Sequence, residues 1–463
     1  MPSGPDSFVS DPQYGREFER ARGLVLAHPR RWRVIYHYDA DGIASASSAV
    51  RAFGRLGYPV QLSPLIGVER EKMQSLLAST KGPVLIVDTG AAWVDLYPAH
   101  PFPVVVLDHH TYAGAPKPPE LPPHVAFVNP LDWGVDGMRE MCAATLTWLF
   151  TVFLDPLNWD NAAWGLSGAI GDRQHVGGFH GLNGILVDEA VRRSVIVRRP
   201  GVALLGRTVG AALASSIDPY FRGLSGRRAA VDAYLGELGI DPEIPPIQLP
   251  PEQSQRLVAS LRARLEAHGV LPEFVALVDQ ERWFIPSQGR DAEELSNLQS
   301  ATGRAGTPGL GVAMALGDAR AYARAEEEEA RWRSGILSAL VRLEEQGVNE
   351  RRGLRWFESR ETPLAGTQAG MAMSYLLPPD RPVIVFSGGG TGPLKLSGRG
   401  TLRLVEKGLD LSDALRRAAS TVGGEGGGHK VASGATIPAG TRDRFLDEAD
   451  RIIAAQLHLG GAA

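Results

Sequence analysis

Three apolar runs in the first quarter of the chain end abruptly in acids or imidazoles. Val104-Val105-Val106-Leu107 runs into Asp108-His109-His110. Val34-Ile35-Tyr36-His37-Tyr38 runs into Asp39-Ala40-Asp41-Gly42, and Val84-Leu85-Ile86-Val87 into Asp88-Thr89-Gly90. A strand covered on both faces has no place for such groups, so they belong beyond its carboxyl end, where an open α/β sheet presents its ligand crevice. If the three strands lie side by side and parallel, Asp39, Asp41, Asp88 and His109 converge on one rim. Carboxylates mixed with imidazole, without thiolates, suit manganese, magnesium or zinc, and manganese fits the blend best. Any one of these acids could equally be a helix N-cap or a turn residue. The threefold recurrence, with Asp-His-His as its third instance, is what points to metal chemistry. A fourth element, Asn161 to Asp172, reads as a small-residue helix ending at an acid, and its glycines at 165, 168 and 171 permit close backbone approach.

Residues from about 31 to 175 alternate strands and helices, the pattern of a doubly wound, mostly parallel sheet. Asp41-Gly42 opens a helix through Ile43–Arg55. Pro59–Ile66 and His124–Val128 read as further strands, and proline-rich Ala115–Pro123 as a loop beside the site. From about 191 the pattern turns helical and basic, with Arg192, Arg193, Arg198, Arg199, Arg207, Arg222, Arg227 and Arg228 close together. Solvated helix faces are the default for such a run, and a phosphate-tracking groove is the functional alternative. Tyr220 and Phe221 among them could stack on bases, although core packing is the ordinary role for either alone. Pro242–Pro246 and Pro250-Pro251 form a linker, a helix follows over about 253–268, and Arg320–Gln346 reads as one long helix between two lobes, with Glu326–Glu329 as a solvated face. After Gly347 a smaller α/β domain follows, with strands at Pro382–Phe386 and Leu394–Arg399 around a glycine-rich turn. The chain thus divides at about 14–190, 191–348 and 349–463.

At 463 residues the chain can form two or three cores rather than one. A formal charge of −4 provides no global field for nucleic acid, so any polyanion site is local. The single cysteine, Cys142, excludes a disulfide framework and a thiolate metal site, and suits a reducing cytoplasm. It lies in an apolar helix, so inert packing is expected of it. The first residues carry no basic-then-apolar pattern and no window approaches 18 uncharged apolar residues, so neither export nor membrane spanning is expected.

The order Asp39-x-Asp41, Asp88, Asp108-His109-His110 and Gly168-x-x-x-Asp172 resembles the DHH phosphoesterase superfamily. Gly426-Gly427-Gly428-His429-Lys430-Val431-Ala432-Ser433-Gly434 resembles the glycine-rich His motif of the DHH-associated C-terminal domain. Ser296–Arg304 followed by Gly309-Leu310-Gly311 is similar to a segment of RecJ-like proteins of the archaeal type, as is Asp218-Pro219-Tyr220 with Gly223-Leu224-Ser225-Gly226. The resemblance covers nearly the whole chain. Two departures stand out. The His that many members place four residues before the first Asp is Ile35 here, and His37 stands two residues before it instead. The middle motif reads Gln299-Ser300-Ala301-Thr302-Gly303-Arg304, which leaves Arg304 as the substrate contact carried over.

The resemblance implies a catalytic DHH domain, a mainly helical connecting region and a substrate-binding C-terminal domain, with the active site in the interdomain cleft. It implies two divalent cations, manganese or else magnesium. Asp88 would bridge them, Asp39 would hold one, and Asp41, His109 and Asp172 the other. His37 is either a further ligand or a residue packed behind them. Asp108 would orient His109, and His110 would donate to a phosphoryl oxygen. Consecutive glycines 426–428 would form an anion cradle beside His429 and Arg399. The activity implied is a single-strand-specific exonuclease on DNA or RNA ends, releasing mononucleotides in DNA repair or RNA turnover. The alternatives are a nanoRNase or cyclic-dinucleotide phosphodiesterase and, in another class, a non-catalytic RecJ-like replication scaffold.

Overall fold

Runs of β-branched residues with no polar member build the centre of the sheet. The computed structural model describes residues 12–67, 70–112, 120–360, 362–388 and 392–459. The strands are β1 (Trp32–His37), β2 (Val60–Leu65), β3 (Val84–Val87), β4 (Val104–Leu107) and β5 (Val125–Val128), in the order β2-β1-β3-β4-β5. All four pairings are parallel. Every residue of β3, β4 and β5 is buried, as expected when helices cover both faces. Pro64 lies in β2, an edge strand, where a missing N–H costs no ladder bond on the open side. Most of the proline-rich loop expected at 115–123 lies outside the described residues.

Alternation along the strands divides the core between two faces. Val34, Tyr36, Leu85, Val87, Val105 and Leu107 pack with the helices α1 (Pro12–Leu26), α2 (Ala40–Arg55), α4 (Ala143–Leu154) and α5 (Ala162–Gly171). Ile35, Val84, Ile86, Val104 and Val106 pack with Met73 and Leu77 of α3 (Arg70–Ala78) and with Trp93 and Tyr97. Each fully buried aliphatic side chain contributes about 1.5–3 kcal/mol. This strand order has its topological switch between β1 and β3, where the connections leave in opposite directions and open a crevice beyond the carboxyl ends. His37 ends β1, Asp39 lies two residues beyond it, and Asp88 follows β3.

By packing, the described residues form two compact units, one of residues up to 200 with 280–330, and one of 201–279 with 331–459. The helix Ala319–Gln346 begins in the first unit and ends in the second. The first unit also holds a small antiparallel sheet of β6 (Val197–Arg199), β7 (Arg282–Ile285) and β8 (Arg290–Asp291). The second contains a six-stranded sheet in the order β13-β14-β12-β11-β10-β9. Its strands are β9 (Asn349–Glu350), β10 (Arg355–Glu358), β11 (Val383–Gly388), β12 (Leu394–Arg399), β13 (Glu425–Gly428) and β14 (Ala432–Ile437). Among the described residues no helix is long and apolar enough to cross a membrane.

Candidate active site

Each strand-end acid is placed by a local device. Asp39 caps α2, its Oδ1 accepting from Gly42 N at 3.1 Å, so its N-cap role and its place on the rim coexist. Asp41 sits in the first turn of α2, fully buried. Its two oxygens accept from Ala143 N (2.9 Å) and Ala144 N (2.8 Å) at the N-terminus of α4, where orphan amides favour an anion. At Gly42 a Cβ would collide with the backbone of His37, so only glycine lets α2 start this close to β1. Asp88 takes the left-handed conformation (φ 56°), uncommon outside glycine and a form of local strain concentrated at functional positions. Asp172 caps the C-terminal end of α5.

These devices assemble two groups, His37 with Asp39 and Asp88, and Asp41 with His109 and Asp172; a third, Asp88 with His109 and His110, links them. His37 Nδ1 lies 3.0 Å from Asp39 Oδ2 and 3.4 Å from Asp88 Oδ2. His109 Nε2 lies 3.3 Å from Asp88 Oδ1 and 3.6 Å from both Asp41 Oδ2 and Asp172 Oδ2. Asp88 thus offers one oxygen to each group.

The set is short of positive charge. Burial and the charge of Asp88 push the Asp41 carboxyl up to about 7, and burial and Asp41 push Asp172 up to about 8. Burial and Asp39 raise Asp88 as well. Burial would lower the His37 imidazole, but the nearby carboxylates of Asp39 and Asp88 outweigh this and raise it to about 11. His109 is likewise raised well above the ordinary range: burial opposes, and Asp88, Asp172 and Asp41 prevail.

The orientation of His109 fits a cation among these groups. Its Nδ1 is 2.7 Å from the Gly137 carbonyl, which can only accept, so Nδ1 carries a proton. With Nδ1 so occupied, the lone pair of the neutral ring falls on Nε2, which faces three carboxylates, as in histidines that bind metal while donating their other N–H to a carbonyl. Asp88 Oδ2 is buried with no hydrogen-bond donor, a second acceptor of the same kind. Residues and geometry suit divalent cations.

Asp108 differs from expectation. Its carboxylate accepts from the backbone of Ala91 (2.7 Å) and His109 (2.8 Å) and from His110 Nδ1 (2.8 Å). It orients the His110 ring, while the ring of His109 is held by Gly137. Burial disfavours the Asp108 anion, yet the His110 bond holds its carboxyl down at about 2, and the same pairing lifts His110 to about 9 against burial.

Sequence reasoning missed the support behind His109. Gln174 Nε2 donates to the same Gly137 carbonyl at 2.8 Å, and Gln174 Oε1 accepts from Asn183 Nδ2 at 2.6 Å, all buried. A loop carbonyl has no signature in residue type; the one available hint was an amide two residues beyond Asp172. Gln174→Leu would leave the Asn183 amide unsatisfied and free the carbonyl. We expect a loss of about 1–3 kcal/mol in stability and a 10–100-fold drop in metal affinity or activity. Metal titration and hydrolysis measured side by side check this, and an unchanged metal response would mean that His109 is held without Gln174.

Other nominated residues fall elsewhere. Arg304 is exposed at the last turn of the helix Ala292–Arg304, within range of the Asp39 charge. In the second unit, Gly426–Gly428 form an extended edge strand paired with β14, not the curled cradle expected of consecutive glycines. His429 lies exposed in the turn that follows, and Arg399 ends β12, its Nη1 donating to Gly398 O at 2.9 Å. Tyr220 and Phe221 are buried in an apolar core, which removes them as stacking platforms. Arg192 and Arg193 pair with Glu189, Arg198 with Asp188, Arg199 with Asp291, Arg227 with Glu344 and Arg228 with Asp232, so most of the basic run is matched by acids. Cys142 is buried at the N-cap of α4 and bonded to Thr145, consistent with packing.

Comparison with known proteins agrees with this architecture. Residues 365–455 match the DHHA1 domain family. An uncharacterised protein of Methanocaldococcus jannaschii is 28% identical over 438 residues, covering 94% of this chain and 95% of its own. Among solved structures, exonuclease RecJ bound to manganese superposes with a TM-score of 0.58 at 20% identity, over 96% of this chain and 97% of that one. CDC45 of Entamoeba histolytica gives 0.66 at 10% identity, over 95% and 99%. RecJ of Thermus thermophilus in complex with Mn2+ gives 0.58 at 19% identity over 97% of this chain, which spans 57% of that protein's length. The chain has the fold of RecJ, with residues 365–455 matching the DHHA1 domain family.

Proposed function

We propose that the chain is a metal-dependent phosphodiesterase acting as an exonuclease on single-stranded DNA or RNA ends. The observation carrying this reading is Nε2 of His109 facing Asp41, Asp88 and Asp172, with Asp88 shared by the neighbouring His37–Asp39 group. In this reading Asp39, Asp88 and His37 hold one divalent cation, manganese or magnesium, and Asp41, Asp88, His109 and Asp172 the second. A pair of such ions supplies an ionised water at neutral pH and charge neutralisation at the attacked phosphate. The chain's own groups position and discharge. Asp108 fixes His110 through Nδ1, so the half-exposed imidazolium keeps its Nε2–H for a phosphoryl oxygen. The amides at the α4 N-terminus lock Asp41 so that its oxygens cannot swing away. Arg304, Arg399, His429 and the backbone of Gly426, Gly427 and Gly428 are the proposed substrate contacts.

The test is digestion of single strands of DNA and RNA, labelled at either end, with manganese present and with chelator. Stepwise release of mononucleotides from a 30-mer, abolished by chelator, is expected. Strong preference for a 5-mer would favour the nanoRNase or cyclic-dinucleotide reading instead. The scaffold reading requires loss of metal affinity; the acid and imidazole set is intact in this chain, and calorimetry with manganese decides between the two.

A further inference from the structure

We propose that the second compact unit holds a further ligand site, separate from the phosphoesterase residues, for a phosphorylated sugar, either free or within a nucleotide. The site is a cavity of about 390 Å³, within the size range of small-molecule pockets. It exists because β9 is only two residues long and pairs with β10 at Arg355 and Trp356 alone. The sheet edge therefore stops short of Phe357 and Glu358, and the last turns of the helix Ala319–Gln346 form the opposite wall.

Three guanidiniums line it. Arg442 is matched by Glu358 and lies over the Trp356 ring, 5.0 Å from its centroid. Arg342, half-buried on the long helix, and Arg360, exposed beyond β10, make no ion pair or hydrogen bond with the described residues. Two cations facing one cavity without an acid of their own call for an anion, and forked guanidinium donors match phosphate oxygens.

A buried amide narrows the ligand further. Gln368 is 4% exposed and lines the same cavity. Its Nε2 donates to Ala339 O at 3.2 Å, and that carbonyl can only accept, which fixes which end of the amide faces away. The remaining atom, Oε1, is buried with no donor. An unsatisfied buried acceptor costs about 1–3 kcal/mol, so the site is complete only when a ligand brings an O–H or N–H. Inorganic phosphate meets the arginines but serves that oxygen poorly, whereas a sugar phosphate offers both groups at once.

The test is isothermal titration calorimetry on the full chain in chelator, in an Arg399→Ala background that removes the proposed substrate contact of the phosphoesterase site. The probes are ribose 5-phosphate, adenosine 5′-monophosphate, adenosine and inorganic phosphate. Binding of either phosphorylated probe is expected, weakened at least about tenfold by Arg342→Ala and by Arg360→Ala. Gln368→Leu is expected to weaken the phosphorylated sugars while leaving inorganic phosphate unchanged. Tighter binding of the nucleotide identifies a nucleotide site, and equal or tighter binding of ribose 5-phosphate a sugar-phosphate site. The arginine substitutions lie at the surface and report independently of the buried amide. Absence of binding at millimolar probe, binding indifferent to both arginines, or sugar-phosphate binding indifferent to Gln368→Leu overturns the proposal. None of these outcomes depends on whether the chain hydrolyses phosphodiesters.

Discussion

Asp88→Asn is expected to leave a folded protein with less than about a thousandth of the wild-type metal-dependent hydrolysis, several kcal/mol of transition-state stabilisation at tenfold per 1.4 kcal/mol. The substitution keeps the side chain's shape, and asparagine is among the few residues that tolerate the left-handed backbone found there (φ 56°). What it removes is the one charge facing both His37 and His109, at 3.4 and 3.3 Å. The chelated variant is expected to be at least as stable as wild type, because burial and Asp39 already disfavour the Asp88 anion. A site that costs stability and gains it back on metal binding behaves in this way. Thermal denaturation with and without manganese, beside a hydrolysis assay, checks both halves. Retention of more than about a tenth of the wild-type rate would sink the shared role of Asp88.

Gly168→Val is the second large effect, and it acts through packing. Three helices meet at this glycine: a Cβ there would strike Ala144 of α4, and would come within 2.9 Å of Asp41 Oδ1 and 3.0 Å of Ala44 of α2. Overpacking at such a junction costs about 1–3 kcal/mol. It also pushes the Asp41 carboxylate off the amides of Ala143 and Ala144. We expect a lowered melting temperature and hydrolysis reduced to a few per cent of wild type or less, since misplacement of about 1 Å can cost a hundredfold. Normal stability and full activity in this variant would mean that the close approach of α5 is immaterial to the site.

Much of the rim was legible in the amino-acid order because burial is a strong local rule. A run such as Val104–Leu107 is credible only as a covered strand, so the polar residues after it are forced to its end. The same reasoning applied to Val84–Val87 and to β1 places Asp88 and Asp39 beside it. Arg192 to Arg228 were less legible, since a basic run reads alike whether it tracks phosphates or pairs with acids far along the chain, as Arg227 does with Glu344. The glycines at 426–428 were ambiguous for a related reason: without a Cβ they suit a curled cradle and an extended edge strand equally, and pairing with β14 selected the strand.

The primary structure by itself therefore determined which chemical groups are available and that three of them end parallel strands, because hydrophobic periodicity is written residue by residue. Only the tertiary structure decided how those groups are aimed. The Gly137 carbonyl that turns Nε2 of His109 toward the carboxylates, the Gln174–Asn183 bond behind it and the pairing of Asp108 with the His110 ring rather than the His109 ring all depend on where backbone atoms lie in space. Every residue has a backbone carbonyl, so its use leaves no mark on residue type. Direction, unlike composition, is a property of the assembled fold.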